Sequence, residues 1–430
     1  LLKPQYDSEL KDLTNLSART TNSAQWRLTY FAFLQKAVLN YKPGAWTTLK
    51  LLWEDRFMLI PKTEFIGLDG IVHLCAGGEA PMLKTHRQAI DRFLTDKALG
   101  EESRERQEAV YRRCQEKAAR LLDVSPEEIA FLASSSEGIN LLAHALTWQP
   151  GDNVVVGDVE FPSDVLPWTR FQDQGVEVRV VSHRDWAIRL EDIEAAIDGR
   201  TRVVAVSQVS YFTGQRLPLE ELSKIVRASN ALLLVDATHA AGVVPVQANQ
   251  ADILVTSCYK WLLGVHGTAI FYWNRERLPD LKPPFLGWHT GTTTPDWRTP
   301  TTYTLRPDAD RFVPGNPSFI SLYVLENALD YILKIGLPDI ERYVLNLGTQ
   351  VWEGVQQSGW ELMTPKAPQQ RAGNICFLAA DIEAITTGLA QVGVLIWGGY
   401  AGVERIRVST HLYNSEEDIA QFLTALRDLS

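Results

Sequence analysis

From about residue 70 the chain alternates between short runs of apolar, often β-branched residues and longer stretches whose apolar positions recur every three or four. The runs predict strands at 71–75, 129–133, 153–156, 176–180, 202–207, 231–235, 253–257 and 268–273. Between them, the helical period predicts helices at 104–122, 162–174, 190–196 and 219–229, with a further helix of 139–146 opening at the serines 134–136. Several strands are apolar at every position (Ala231-Leu-Leu-Leu-Val235 is the clearest), as expected when both faces of a sheet are covered. Alternating βα units of this kind give an α/β fold with a doubly wound, mostly parallel sheet. A Pro/Thr/Asp-rich stretch at 290–314 interrupts the alternation. Beyond it the pattern predicts helices at 320–335 and 340–358, a strand at 373–378, a helix at 382–391, short strands near Val394 and Ile406, and a final helix from Glu416, together a smaller α+β unit.

Before residue 65 the chain is helical in period and unusually aromatic. Trp26, Tyr30, Phe31, Phe33 and Leu34 share a helical spacing, and Pro43-Gly44 breaks the run. The organisation read from these patterns is a helical arm over 1–65, a large ligand-binding domain over 66–305 and a small C-terminal domain over 306–430. The arm packs on the body or on a partner subunit; a lid over the active site is the other reading.

Composition narrows the function by exclusion. Lys and Arg number 42 against 52 Asp and Glu, a net charge of −10, and no basic block stands out. This argues against a general grip on nucleic acid or on anionic membrane surfaces. Cys75, Cys114, Cys258 and Cys376 are far apart with no CxxC pair, which excludes a disulfide scaffold and a cysteine zinc site and fits a reducing compartment. With no apolar stretch of membrane-span length, and no basic-then-apolar leader pattern at the start, the expectation is a cytoplasmic protein.

The candidate chemistry sits directly after the apolar runs, since ligands of parallel α/β sheets bind outside the carboxyl ends of the strands. The 129–133 run empties into Ser134-Ser135-Ser136-Glu137-Gly138, hydroxyls at a helix start that suit a phosphate and equally serve as ordinary N-caps. The 153–156 run leads to Phe161, placed to stack on a planar ring or to fill the core. The 231–235 run ends in Asp236, a carboxylate at an apolar strand tip that requires a donor or cationic partner; His239 follows three residues on. The 253–257 run leads through Ser257 to Tyr259 and Lys260 beside Trp261, Leu262 and Leu263. Desolvation there favours the nucleophilic free amine, whereas a snorkelling lysine is the plain alternative. Taken together, an anion-binding helix start, a flat aromatic, a buried acid and a buried lysine match pyridoxal 5'-phosphate.

At these residues the sequence resembles the class V aminotransferase family of fold type I pyridoxal-phosphate enzymes, which includes cysteine desulfurases, isopenicillin N epimerase-like proteins and kynureninases. The resemblance is carried by Val235-Asp-Ala-Thr-His239-Ala-Ala-Gly242, Thr256-Ser-Cys-Tyr-Lys260-Trp-Leu-Leu-Gly264, Glu160-Phe-Pro-Ser163, Thr213-Gly214 and Ile406-Arg407-Val-Ser409 with Tyr413-Asn414. It implies that Lys260 holds the cofactor as a Schiff base and shuttles protons, and that Asp236 pairs with the pyridine nitrogen. By the same resemblance, Ser135, Ser136, Ser257 and Tyr259 hold the phosphate, Phe161 stacks on the ring, His239 lies near the ring hydroxyl and Ser207 lines the site. It further implies that Arg407 grips the substrate α-carboxylate, that Thr292 reaches a neighbouring subunit's phosphate in a homodimer, and that Trp288, Asn316, His289 and His73 shape the side-chain pocket.

Departures bear on the reaction. Desulfurases that form a persulfide need a nucleophilic cysteine on a mobile loop, whereas Cys376 falls inside the apolar run 374–378 and reads as core. Kynureninase-like features include Gly287-Trp288 and Asn316, but the segment His289-Thr-Gly-Thr-Thr-Thr294 after Trp288 departs from that pattern. The resulting expectation is an enzyme acting on the α-carbon of a free amino acid, a specialised lyase, cyclase or epimerase. An aminotransferase or kynureninase-like hydrolase is the alternative, ahead of a cysteine desulfurase or a non-catalytic binding descendant of the fold.

Overall fold

The structure, a computed structural model, describes residues 58–292, 298–299, 301–400 and 402–429. The expected N-terminal arm therefore lies outside the described residues except for its last part, where a single 3-10 turn, Lys62–Glu64, is formed.

The sheet predicted from the apolar runs is present as seven strands. In chain order these are β2 (Ile129–Leu132), β3 (Asn153–Gly157), β4 (Glu177–Val181), β5 (Thr201–Ser207), β6 (Leu232–Asp236), β7 (Ile253–Ser257) and β8 (Ala269–Trp273); a short β1 (Val72–His73) precedes them. Their spatial order is β2-β8-β7-β6-β5-β3-β4. The five strands β4, β3, β5, β6 and β7 are parallel, and β8 runs antiparallel to both β7 and β2.

Alternate residues of the central strands point to opposite faces, and each face has its own apolar layer. Val155, Val204, Val206, Leu233, Val235 and Leu254 belong to one layer. Val154, Val156, Val203, Ala205, Leu234, Ile253 and Val255 belong to the other. That division is why these runs carry no polar alternation.

Helices α1 (His86–Lys97) and α2 (Glu101–Leu122) precede β2, and α3 (Ser135–Ala145) follows it. Helix α3 starts earlier than its apolar period suggests, because Ser134 is the N-cap: its side chain accepts from the Glu137 N–H at 3.2 Å. The helix expected at 162–174 is cut to α4 (Pro162–Thr169), with a 3-10 turn at Gln172–Gln174 ending on Gly175 at φ 82°. Next come α5 (Leu190–Ala196) and α6 (Leu219–Ala228), then α7 (Phe319–Ile335) and α8 (Leu337–Gln357) beyond the sheet. Leu322, Leu325 and Leu329 of α7 join Val110, Cys114 and Ala118 of α2 in the first apolar layer.

A second, antiparallel sheet has the order β11 (Trp397–Tyr400), β12 (Val403–Ser409), β9 (Asn374–Leu378). Its core is built with α8, α9 (Ile382–Gln391) and α10 (Glu416–Asp428) through Leu347, Val351, Ile385, Leu389, Ile419 and Phe422. Strand β1 pairs in parallel with β10 (Val394–Leu395). Among the described residues no helix is long and apolar enough to cross a membrane, and no cluster of His, Cys, Asp and Glu has the makings of a metal site.

Candidate active site

The parallel register sets the carboxyl ends of β5 and β6 level, with Ser207 opposite Asp236. Asp236 is buried, and its Oδ1 accepts the Thr238 N–H at 2.6 Å. Burial pushes its pKa up, while the Thr238 bonds and the charge of Lys260 pull it back.

Lys260 follows β7, and its Nζ lies 3.3 Å from His239 Nε2. It also lies 5.8 Å from the Phe161 ring centroid and 5.5 Å from that of Tyr259. Burial, and next the charge of Arg407, lower the Lys260 pKa to about 8. The nearest relief comes from Asp236, Asp164 and Glu79, which act in the opposite sense.

His239 is neutral, its pKa driven well down by burial and by the charges of Lys260, Arg407 and Arg405. Its Nδ1 receives the Trp261 indole N–H at 3.2 Å and lies 2.9 Å from Asn374 Nδ2. An indole can only donate, so Nδ1 accepts and the ring proton sits on Nε2, directed at Lys260. A lysine facing an N–H must offer its lone pair, and the contact therefore favours the free amine, in agreement with the lowered pKa.

At the other edge of this group the hydroxyls gather. Ser135 Oγ lies 2.7 Å from Ser257 Oγ and 3.1 Å from Thr238 Oγ1, and Thr238 Oγ1 also accepts the Ser257 N–H at 3.0 Å. Ser135 is the first residue of α3, so these hydroxyls sit beside the unpaired N–H groups of a helix start. Ser136 turns elsewhere, to Ser163 Oγ at 2.7 Å. Tyr259 stacks on His266, with ring centroids 4.0 Å apart.

Ser207 donates to Glu160 Oε2 at 2.5 Å, and its N–H reaches Glu160 Oε1 at 2.9 Å. Glu160 is raised to about 7, first by burial and further by Asp236, against the opposing Ser207 bonds. Asp164 is fully buried, and neither of its oxygens has a hydrogen-bond partner among the described residues. Burial, reinforced by Asp236 and Glu160, holds its pKa well up against the opposing charge of Lys260.

Arg407, on β12, enters from the second sheet. It is 4% exposed, and its Nη1 donates to the Tyr211 carbonyl at 3.1 Å. Its guanidinium lies 5.8 Å from the Trp397 ring centroid. The chain fits closely around it. A Cβ on Gly77 would stand 3.3 Å from Arg407 Nε and 2.6 Å from Asn374 Oδ1, and one on Gly78 would stand 2.5 Å from the Trp397 ring.

Of the residues singled out from sequence, Lys260, Asp236, His239, Phe161, Ser135, Ser257 and Ser207 thus gather at or beyond the ends of β2, β3, β5, β6 and β7, with Arg407 reaching in from within β12. Trp288 and Asn316 do not join them within this chain; together with His289 they line a separate cavity of about 560 Å³ bordered by Lys97, Arg104 and Glu108. Thr292 is exposed and pairs with Thr304, its N–H donating to the Thr304 carbonyl at 2.9 Å. His73 bonds to the Tyr413 hydroxyl at 2.9 Å.

Sequence reasoning gave no role to Thr238, Glu160, Asp164, Trp261, Asn374 or Arg405. Glu160 and Asp164 flank Phe161 just past a strand end, which is the one signal that pointed to them. All four cysteines are buried, and burial raises the Cys376 thiol pKa.

A family model described as Aminotransferase class-V matches residues 94–422. A cysteine desulfurase of Salmonella choleraesuis (strain SC-B67) is 31% identical over 323 residues, covering 70% of this chain and 78% of that protein. Among solved structures, the apo cysteine desulfurase from Thermococcus onnurineus NA1 matches with a TM-score of 0.78 at 25% identity, over 86% of this chain and 96% of its own. The cystine C-S lyase C-DES, solved with its reaction product cysteine persulfide, also gives 0.78, at 21% identity over 85% and 99% of the two chains. At that identity the likeness speaks for the fold alone.

Proposed function

The chain belongs to the class V aminotransferase family and is a pyridoxal-phosphate-dependent enzyme, and on that premise we propose that it is a lyase acting on the α- and β-carbons of a free amino acid. The observation that carries the reading is Lys260, a buried amine of lowered pKa set between Asp236 and a buried, carboxylate-free Arg407, in a chain whose thiols are all buried.

The residues present fit the cofactor. Ser135, Thr238 and Ser257 at the start of α3 would hold its phosphate. Asp236, buried without an arginine partner among the described residues, would accept the pyridinium N–H. Phe161 would cover the ring, and the Nε2 proton of His239 would meet the ring hydroxyl oxygen. When bound, the cofactor withdraws electrons from the substrate α-carbon.

The protein's own part follows from the geometry. Arg407 holds the α-carboxylate as a guanidinium fork. Lys260 would supply the amine that holds the cofactor and, when not so engaged, the base positioned to take the α-proton. In the proposed elimination the electron pair of that C–H bond forms the Cα–Cβ double bond as the β-substituent leaves. The released product hydrolyses to ammonia and a 2-oxo acid. A two-base epimerisation would need a second base, and His239 is unsuited to it, with its Nδ1 lone pair occupied and its Nε2 protonated.

Because the Lys260 pKa lies at about 8, roughly a tenth of the amine is free at pH 7, against less than a thousandth for an exposed lysine. The rate at which the cofactor-free protein captures pyridoxal phosphate should rise about tenfold per pH unit below 8 and level off above it. A rate still climbing at pH 10 would contradict the assigned pKa.

The named relatives favour a second reading, cysteine desulfurase, which the burial of every cysteine disfavours. Identifying the products from cysteine and cystine separates the two. Ammonia and a 2-oxo acid support the lyase, alanine supports the desulfurase, and inverted substrate alone supports an epimerase. Trp288, Asn316 and Thr292, which line other surfaces of this chain, fit a homodimer in which they face a second copy.

A further inference from the structure

Two arginines, not one, stand buried on the same face of β12. Arg405 is 1% exposed and Arg407 4%. They are two residues apart, about 7 Å along a strand. Both reach the same oxygen: Arg405 Nη1 donates to the Tyr211 and Phe212 carbonyls at 2.9 Å each, and Arg407 Nη1 donates to that of Tyr211 at 3.1 Å. Among the described residues no carboxylate lies within ion-pair distance of either guanidinium, and the Nε of each is buried without a hydrogen-bond partner.

The neighbouring ionisable groups do not neutralise the pair. Burial raises the Cys75 thiol to about 12 and raises Cys376 as well, so both stay protonated at neutral pH. Arg371 provides a contrast within the same molecule. It is equally buried, likewise lacks an ion pair among the described residues and has an unpartnered Nε, and clamps the carbonyls of Pro365 and Lys366, but it stands singly with the Glu353 carboxylate in its field. Arg407 has instead a second cation in its field, and burial, followed by that charge, lowers its pKa to about 10. Two adjacent cations in a dry site are costly, and the cost is recovered by an anion that arrives with the ligand. The α-carboxylate of an amino acid supplies one negative charge, which leaves the second cation uncompensated.

We propose that Arg405 is a specificity-determining residue and that the preferred substrate is an α-amino acid with a second acidic group on its side chain. The proposal rests on the amino-acid reading of the site given above. Arg405 is held by two carbonyls and by the faces of Tyr211 and Phe212, with ring centroids 5.5 and 4.8 Å away. It therefore acts mainly through its charge, which at low local dielectric extends over the distance between the two arginines.

The test compares ligands equal in size and different by one charge. In the cofactor-loaded protein, the visible spectrum is titrated with L-aspartate against L-asparagine and with L-glutamate against L-glutamine. The acids should bind on the order of 10- to 100-fold more tightly than their amides. Arg405→Met should bring that ratio close to one, and Arg405→Lys should restore most of it. A merely structural arginine would change stability and leave the ratio where it was. Equal or tighter binding of the amides to the unsubstituted protein overturns the proposal even if no variant folds.

Succinate against succinamate in a thermal-shift assay reads the cation pair without amine chemistry. If no amino acid perturbs the spectrum while succinate still stabilises the protein more than succinamate, the amino-acid reading fails and the charge pair stands. If amino acids perturb the spectrum without regard to side-chain charge, the charge pair fails and the enzyme reading stands.

Discussion

Lys260→Ala is expected to abolish turnover, by at least about 10⁴-fold, together with the visible absorption that bound pyridoxal phosphate acquires through a lysine. The same amine is assigned to holding the cofactor and to moving the α-proton, so its removal deletes two functions at once. The scaffold should tolerate the change. Lys260 makes no ion pair among the described residues, and its polar contact is the 3.3 Å approach to His239. Desolvation is the leading cause of its lowered pKa, so the folded protein loses a strained charge. The variant should still bind pyridoxal phosphate through the Ser135, Thr238 and Ser257 hydroxyls and Asp236, weakly enough for dialysis to remove it. Absorption spectra before and after dialysis, with single-turnover assays, check this. A variant that kept its colour and its activity would remove Lys260 from the mechanism.

Arg407→Met should move activity and stability in opposite directions. Losing a two-pronged, charge-assisted grip on a carboxylate forfeits about 3–6 kcal/mol of binding, a fall of roughly 10²- to 10⁴-fold in kcat/KM. The ligand-free protein should gain stability, because an arginine that is 4% exposed, without a carboxylate and beside Arg405, gives way to an apolar side chain of similar length. A rise in melting temperature of one to a few degrees corresponds to the ~1–2 kcal/mol expected at this size. Thermal unfolding and steady-state kinetics on one preparation test both arms. A variant that is both inactive and markedly less stable would mean that Arg407 is a structural clamp.

The order in which the chain disclosed these features has a physical basis. The parallel strands were legible because burial on both faces strips them of polar residues, and that in turn marked Asp236 and Lys260 by what they follow. The limits of α4 were misjudged because its period continues past Thr169, whereas Gly175 ends the segment in a left-handed turn. Helix α1 went uncalled because only its Ala89 is buried among its apolar positions, and charge dominates the rest. The arginine pair was read only as far as Arg407. The stretch Val-Glu-Arg-Ile-Arg-Val-Ser has the polar content of an exposed edge strand, and nothing local reveals that Tyr211 and Phe212, almost two hundred residues earlier, cover it. Ser136 was grouped with Ser135 through the resemblance; on a helix neighbours diverge by about 100°, and its hydroxyl bonds to Ser163. Trp288 and Asn316 were assigned through resemblance alone, and one chain does not bring them to Lys260.

The pairing of β1 with β10 sets a timetable for synthesis. The Val72 N–H donates to the Gly393 carbonyl at 2.9 Å and the Leu74 N–H to the Leu395 carbonyl at 2.8 Å, the Leu74 carbonyl receives the Ser409 N–H at 2.8 Å, and the His73 carbonyl receives the Asn414 amide across 341 positions. At translation rates of about 5–20 residues per second, the emerging segment waits for roughly 15–60 s before those partners leave the ribosome. The large sheet, whose strands are close in sequence, can close in the meantime. Val72 and Leu74, both at 2% exposure or less in the finished molecule, stay uncovered until the core of the second sheet, to which they belong, is made. Nascent chains should therefore be most dependent on chaperones, and most vulnerable to proteases, from the emergence of the large sheet until the 393–414 segment has left the ribosome.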